Sequence, residues 1–294
     1  MLTPSTARLK AARRLTKRAF RQRERAFLAE GPQAVAEALA MGAPVSDLFV
    51  TAPAQARHSA LVSRAAAAGI NVQVISGEAM SELAQTVTPQ GLLAVCGFID
   101  VPLETVTERR PTLVALLANV RDPGNAGTVL RTADAAGADA VVFSDASVDL
   151  YNAKCVRASA GSLFHLPVVD LSASGAPGTR GIRLPDAIAA LRAVGLRVIA
   201  ADGRCGVTLD DPQARDMLGG PTAWLFGNEA WGLPPELASQ ADVSLAVPIY
   251  GKAESLNLAA AAAVCLYASA RQRAAERVSS PGPAPGQSRS PEPI

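Results

Sequence analysis

The stretch from Trp224 to Leu266, WLFGNEAWGLPPELASQADVSLAVPIYGKAESLNLAAAAAVCL, decides the fold. One apolar run (Ala223, Trp224, Leu225, Phe226) stops at Gly227-Asn228-Glu229, and a second, over 243–249, stops at Tyr250-Gly251-Lys252. Both runs are too short for helices and are bounded by turn residues, the mark of buried strands. Each strand hands a polar loop to the edge of a sheet, where open α/β folds hold ligands. The second loop carries Glu254, Ser255 and Asn257 before an Ala-rich helix that extends to about residue 278. Two such loops close in sequence, each with glycine where a ligand could press on bare backbone, predict a small-molecule pocket rather than two ordinary turns.

A second informative stretch lies upstream, NVRDPGNAGTVLRTADAAG over 119–137. Pro123, Gly124 and Gly127 predict a tight loop over 119–127 and then a helix over 128–136, whose N-terminus offers unpaired N–H groups to an anion. Arg131 falls in the first turns of that helix and reaches the same space, which points to an anionic substrate such as a phosphate backbone. Strands are expected over 113–118, 140–143, 166–169 and 197–200, a helix over 185–194, and a Gly/Ser/Pro-rich surface loop over 172–183. Nearer the N-terminus, strands over 26–30, 47–50, 72–75 and 92–99 alternate with helices over 32–41, 58–68 and 78–84, a separate α/β module. The expected division is therefore a basic arm (1–25), a docking module (26–100), a proline-flanked linker (101–111), a larger α/β domain (112–278) and a disordered tail (279–294).

Composition narrows the function. The chain has 294 residues, 49% hydrophobic and 18% charged, enough apolar matter for two packed domains. No apolar run approaches the ~20 residues that span a bilayer, and the polar, basic N-terminus is not a secretory signal, so cytoplasm is expected. The cysteines Cys96, Cys155, Cys205 and Cys265 and the histidines His58 and His165 lie far apart, which argues against a metal site or a disulfide framework. A G-x-S-x-G elbow, a P-loop and a G-x-G-x-x-G opening are all absent. Net charge is only +2, yet Arg8, Lys10, Arg13, Arg14, Lys17, Arg18, Arg21, Arg23 and Arg25 crowd the first segment. Such crowding is a footprint for nucleic acid or a solvated terminus, and charge alone does not choose between them.

Three segments, in order, resemble the SpoU (TrmH) family of the SPOUT superfamily, RNA ribose 2′-O-methyltransferases that use S-adenosylmethionine. They read N-V-R-D-P-G-N-A-G-x-x-x-R-T-A-D-A-x-G, L-F-G-N-E-A-x-G-L and V-P-I-x-G-x-x-x-S-L-N-L-x-x-A. The N-terminal module, with TPQGLLAV near its end, is similar to the ribosomal-protein-like RNA substrate-binding domain of many members. The resemblance implies an α/β fold with a C-terminal SPOUT domain, whose parallel sheet has its last segment threaded as a trefoil knot, and a homodimer. It implies cofactor contacts at Gly227, Val247, Ile249 and Leu256, a catalytic Arg131 with Asn125, and polar residues Glu229, Ser255 and Asn257 shaping the site. Arg157 matches a basic residue near the active site of related enzymes, and Arg13, Arg14, Lys17, Arg18 and Arg21 are the RNA contacts expected from the basic arm. The implied substrate is 23S ribosomal RNA, with neither metal nor membrane as a partner. Transfer RNA, or a catalytically idle RNA-binding role, are the alternatives, and intact Arg131, Glu229, Ser255 and Asn257 argue against the second.

Overall fold

The computed structural model describes residues 6–172 and 181–279. The expected tail beyond Ser279, which is helical, and most of the expected 172–183 loop lie outside them. The basic segment is not an arm but two packed helices, α1 (Thr6–Arg14) and α2 (Arg18–Glu24). Ala12 and Leu15 are buried against Leu28, Phe49, Met80 and Leu93, so an apolar stripe hidden among the arginines docks the segment on the sheet behind it.

The N-terminal unit continues as β1 (Ala26–Glu30), α3 (Pro32–Ala40), β2 (Val45–Thr51), α4 (Ala52–Arg57), α5 (Ser59–Ala67), β3 (Asn71–Ile75), α6 (Gly77–Leu83) and β4 (Leu92–Gly97). Its sheet runs β1-β4-β2-β3, with β4 antiparallel to both neighbours and β2 parallel to β3. The 101–111 segment is more than a tether, because α7 (Leu103–Glu108) buries Leu103 and Val106 in the core of the second unit. Apolar residues three apart face the same side of a helix, a pattern easily lost among the polar residues of so short a run.

The second unit comprises β5 (Leu113–Leu117), α8 (Pro123–Ala135), β6 (Ala140–Phe143), α9 (Ala153–Ala158), β7 (Val168–Asp170), α10 (Leu184–Ala193), β8 (Arg197–Ala201), α11 (Pro212–Gly219), β9 (Thr222–Phe226), α12 (Pro235–Ala238), β10 (Val243–Leu245) and α13 (Leu258–Ser279). Its six strands are all parallel, in the order β10-β8-β9-β5-β6-β7. LVALL, AVVF and TAWLF are buried at every residue, as a parallel sheet covered on both faces requires. The chain leaves β5 toward β6 and leaves β9 toward β10, so strand order reverses between these two neighbours. Their carboxyl ends form the crevice where such sheets bind ligands.

Two boundaries differ from expectation for clear physical reasons. The expected 119–127 loop ends early: α8 starts at Pro123, with Asp122 as its N-cap accepting the Asn125 N–H at 2.8 Å. Gly127 is helical, and a Cβ there would stand 2.3 Å from the Cys155 carbonyl oxygen, so the glycine serves close α8–α9 packing rather than a turn. The 243–249 run is a strand only to Leu245, since Pro248 has no N–H to continue a ladder.

The two units share a core. The Phe98 and Tyr151 rings stack at 3.8 Å, and Phe27 packs on both Tyr151 (4.6 Å) and Phe164 (6.1 Å). Tyr151 Oη accepts the Ile99 and Asp100 N–H groups at 2.8 Å each and donates to the Asp100 carboxylate at 2.7 Å. Below them Arg21 and Asp149, each about 5% exposed, form an enclosed ion pair, and Arg21 also donates to the Leu15 and Thr16 carbonyls.

Candidate cofactor and substrate site

Loops following β5 and β9, and the segment between β10 and α13, converge at the reversal point. Gly227 ends β9, and a Cβ there would lie 2.4 Å from Gly232 C and 2.5 Å from Leu233 N, so only glycine fits. Asn228 and Gly232 exchange both backbone hydrogen bonds at 2.9 Å and close a small turn. The buried Asn228 side chain donates to the Asn119 carbonyl and accepts the Ala230 N–H, both at 2.8 Å, which pins the β9 loop to the β5 loop. The sequence reading passes over Asn228 as a functional residue, although an Asn between a strand end and a turn is a known pinning signal.

Glu229 reaches across the crevice. Its carboxylate accepts the Arg121 N–H at 3.2 Å, the Asp122 N–H at 3.1 Å and the Asn125 side-chain amide at 3.2 Å. Partial burial works against its charge, but these donors and its own N–H outweigh that, and its carboxyl sits below the ordinary value. Asn257 donates to Asn125 Oδ1 at 3.0 Å, while its own Oδ1 caps α13 through the Ala259 N–H at 2.9 Å. Asn125, Glu229 and Asn257 are thus one hydrogen-bonded chain drawn from the first turn of α8 and two loops.

Gly227, Val247, Ile249 and Leu256 line a single cavity of about 400 Å³, together with Phe226, Glu229, Ser255 and Leu258. Among the described residues, no hydrogen bond engages the amide N–H of Val247, Ile249 or Leu256, so these donors are open to a ligand. An adjoining groove of about 830 Å³ runs between α11 and α13, lined by Leu218, Pro248, Tyr250, Val264 and Tyr267. It is larger, but it lacks the glycine turn and the polar chain.

Other expected residues lie elsewhere. Arg131 stands on the exposed face of α8, outside the cavity lining, and its side chain makes no ion pair or hydrogen bond among the described residues. Arg157 is half-buried against Glu30 at 3.5 Å and borders a separate cavity of about 210 Å³ beside Gln33, Thr88 and Gln90. Arg13 pairs with Glu82 at 2.9 Å, Arg14 lies over the Phe20 ring at 4.1 Å, and Lys17 and Arg18 are exposed. Arg21 must be withdrawn as an RNA contact, because its guanidinium is spent inside on Asp149. Among the described residues, no three His, Cys, Asp or Glu side chains cluster as a metal site, and no helix is long and apolar enough to cross a membrane.

Comparison with known proteins shows the family. Residues 112–267 match the SpoU rRNA Methylase family and residues 6–94 an MRM3-like substrate binding domain. RlmP of Bacillus subtilis, a 23S rRNA (guanosine(2553)-2′-O)-methyltransferase, is 36% identical over 84% of this chain and 89% of that protein. A 23S rRNA (uridine(2479)-2′-O)-methyltransferase of Streptomyces viridochromogenes is 34% identical over 64% of this chain and 63% of its own length. An AdoMet-bound rRNA methyltransferase from Sinorhizobium meliloti superposes with a TM-score of 0.76 at 30% identity, covering 92% of this chain and 97% of that one. The chain belongs to the SpoU rRNA methylase family.

Proposed function

We propose that this chain is an S-adenosylmethionine-dependent methyltransferase acting on a ribose 2′-hydroxyl of 23S ribosomal RNA. The observation that carries the reading is the convergence of Gly227, Val247, Ile249 and Leu256 on one cavity beside the Asn125–Glu229–Asn257 chain. The cavity suits the cofactor chemically: apolar walls for adenine, open amides for its polar edge, and the Glu229 and Glu254 carboxylates for a sulfonium cation. The bound cofactor supplies a methyl group already activated for in-line transfer, so the protein's task is to position a hydroxyl and let one proton leave.

Glu229 and Asn257 are positioning residues, since their hydrogen-bonding capacity is committed to the loops they join. Ser255 lines the cavity with an uncommitted hydroxyl and is assigned to orient the 2′-hydroxyl, with a substrate phosphate accepting the proton. Arg131 cannot act as a base, because a guanidinium stays protonated; its role is to clamp ribose and phosphate. The Tyr267 hydroxyl donates to the Ala135 carbonyl one helical turn beyond Arg131, so Arg131 adjoins the exposed apolar face of Val264 and Tyr267. A homodimer formed through that face would deliver Arg131 to the cavity of the second copy.

The same reading makes the N-terminal unit the substrate-binding domain, with Arg13, Arg14, Lys17 and Arg18 on its RNA-facing surface, and it retains 112–278 as the methyltransferase domain. It includes the knot, with the chain leaving β10 at the sheet edge and returning as α13 against β5, β8 and β9. A ribosomal RNA substrate assigns the protein to the cytoplasm. Incubation with tritiated S-adenosylmethionine and either unmodified ribosomal RNA or transfer RNA tests the substrate: label in 23S RNA is expected, and label in transfer RNA alone would overturn it.

A further inference from the structure

Trp231 occupies the unspecified position of L-F-G-N-E-A-x-G-L. It is 56% exposed, yet it lines the same cavity as Gly227, Ser255 and Leu256. Trp224, by contrast, is fully buried and donates its indole N–H to Ser269 at 2.9 Å. An indole held half in water is a large apolar surface in want of a partner. The turn carrying it is stiff: paired bonds between Asn228 and Gly232 close it, and Gly232 takes the left-handed conformation (φ 72°) that the closure needs. Arg204 flanks the turn. Its guanidinium is held in a fork by Asp202 at 2.9 and 3.0 Å and donates to the Leu233 carbonyl at 3.2 Å, while its side chain remains 66% exposed.

A fixed aromatic face beside a fixed guanidinium matches a nucleotide, whose base presents a flat π-surface and whose phosphate presents an anion. We propose that Trp231 is a stacking platform for the base of the target nucleotide, with Arg204 against its phosphate, so that the ribose 2′-hydroxyl faces the cavity. Stacking tolerates any base, so Trp231 is a positioning residue for the sugar and not a reader of sequence. This role rests on the methyltransferase reading above.

The test compares the full-length wild type, Trp231→Ala and Trp231→Phe. Calorimetry gives the affinity for S-adenosylmethionine, steady-state assays give kcat and KM for an unmodified 23S RNA transcript, and tryptophan emission is recorded with each ligand. Trp231→Ala is expected to leave cofactor affinity unchanged and to lower kcat/KM for the transcript roughly tenfold or more, with Trp231→Phe restoring most of it. The difference in emission between wild type and Trp231→Phe isolates Trp231 from buried Trp224; the transcript should quench it and the cofactor alone should not. Wild-type kcat/KM in Trp231→Ala would overturn the proposal, as would a loss of cofactor affinity that assigns the indole to adenine instead. Should Trp231→Ala fail to fold, the Phe variant and the quenching still decide. A wild type that neither binds cofactor nor methylates would bring down the underlying reading, whereas an active wild type without quenching would remove only the stacking role.

Discussion

Gly227 is the position where one added methyl group is least tolerated, since its Cβ would lie within 2.6 Å of three backbone atoms of Gly232 and Leu233. Backbone cannot rotate aside as a side chain can, and overpacking of this kind costs about 1–3 kcal/mol. Gly227→Ala should therefore lower the melting temperature and abolish S-adenosylmethionine binding in calorimetry; wild-type affinity would contradict the cavity assignment. Glu229 yields a pH signature. Its folded value lies below the unfolded 4.5, so its stabilising contribution is complete above 4.5 and is lost as pH falls through the lower folded value. The melting-temperature gap between wild type and Glu229→Gln should hold steady above that window and close below it; a gap that grows with acid would contradict the assignment. Gly227 and Glu229 were both legible in the sequence, because turn residues after an apolar run announce a strand end. The burial of Arg21 was not, since its partner Asp149 is 128 positions away and a run of arginines gives no hint which one turns inward. Breaking such a pair from one side typically costs about 3–5 kcal/mol, so Arg21 is held by stability rather than by RNA.

Among the elements, α3 and α8 are strapped together across the two units by His165. Its Nδ1 meets Asp134 at 2.8 Å and its Nε2 meets Glu37 at 3.1 Å. The hydrogen bond that the imidazole donates to Asp134 is the largest influence; partial burial opposes it, Glu37 adds to it, and the imidazole value is raised above 6.5. A raised value means the strap is complete below pH 6.5 and is lost as pH rises through the folded value. The advantage of wild type over His165→Gln in thermal melts should thus be greatest on the acid side and vanish on the alkaline side; a pH-independent difference would contradict the strap. Nothing in SLFHLPVV discloses carboxylates contributed by two distant helices. The same limit explains α8. Asp122-Pro123 is a legible helix start, but glycines at 124 and 127 argue for a loop until the Cys155 carbonyl beside Gly127 is seen.

At the scale of the whole molecule, most of the architecture could be read from strand spacing, while what joins its parts could not. Phe27, Phe98, Tyr151 and Phe164 are separated by long stretches of chain and carry no periodic signal, yet they weld the N-terminal unit to the second one. The exposed position of Arg131, with Val264 and Tyr267 nearby, makes a further expectation. If the arginine serves a second copy, mixing inactive Arg131→Ala with inactive Ile249→Glu should restore part of the activity, because hybrid dimers regain one intact site. Mixtures that stay inactive although they dimerise would show that each chain uses its own arginine.

The most direct measurement uses unmodified 23S ribosomal RNA methylated by the purified protein with labelled S-adenosylmethionine and then hydrolysed with alkali. A 2′-O-methyl group blocks attack on the neighbouring phosphodiester, so the expected result is label confined to one alkali-resistant dinucleotide and absent with Gly227→Ala. Label released as a mononucleotide methylated on its base, or no transfer to RNA at all, would contradict the assignment.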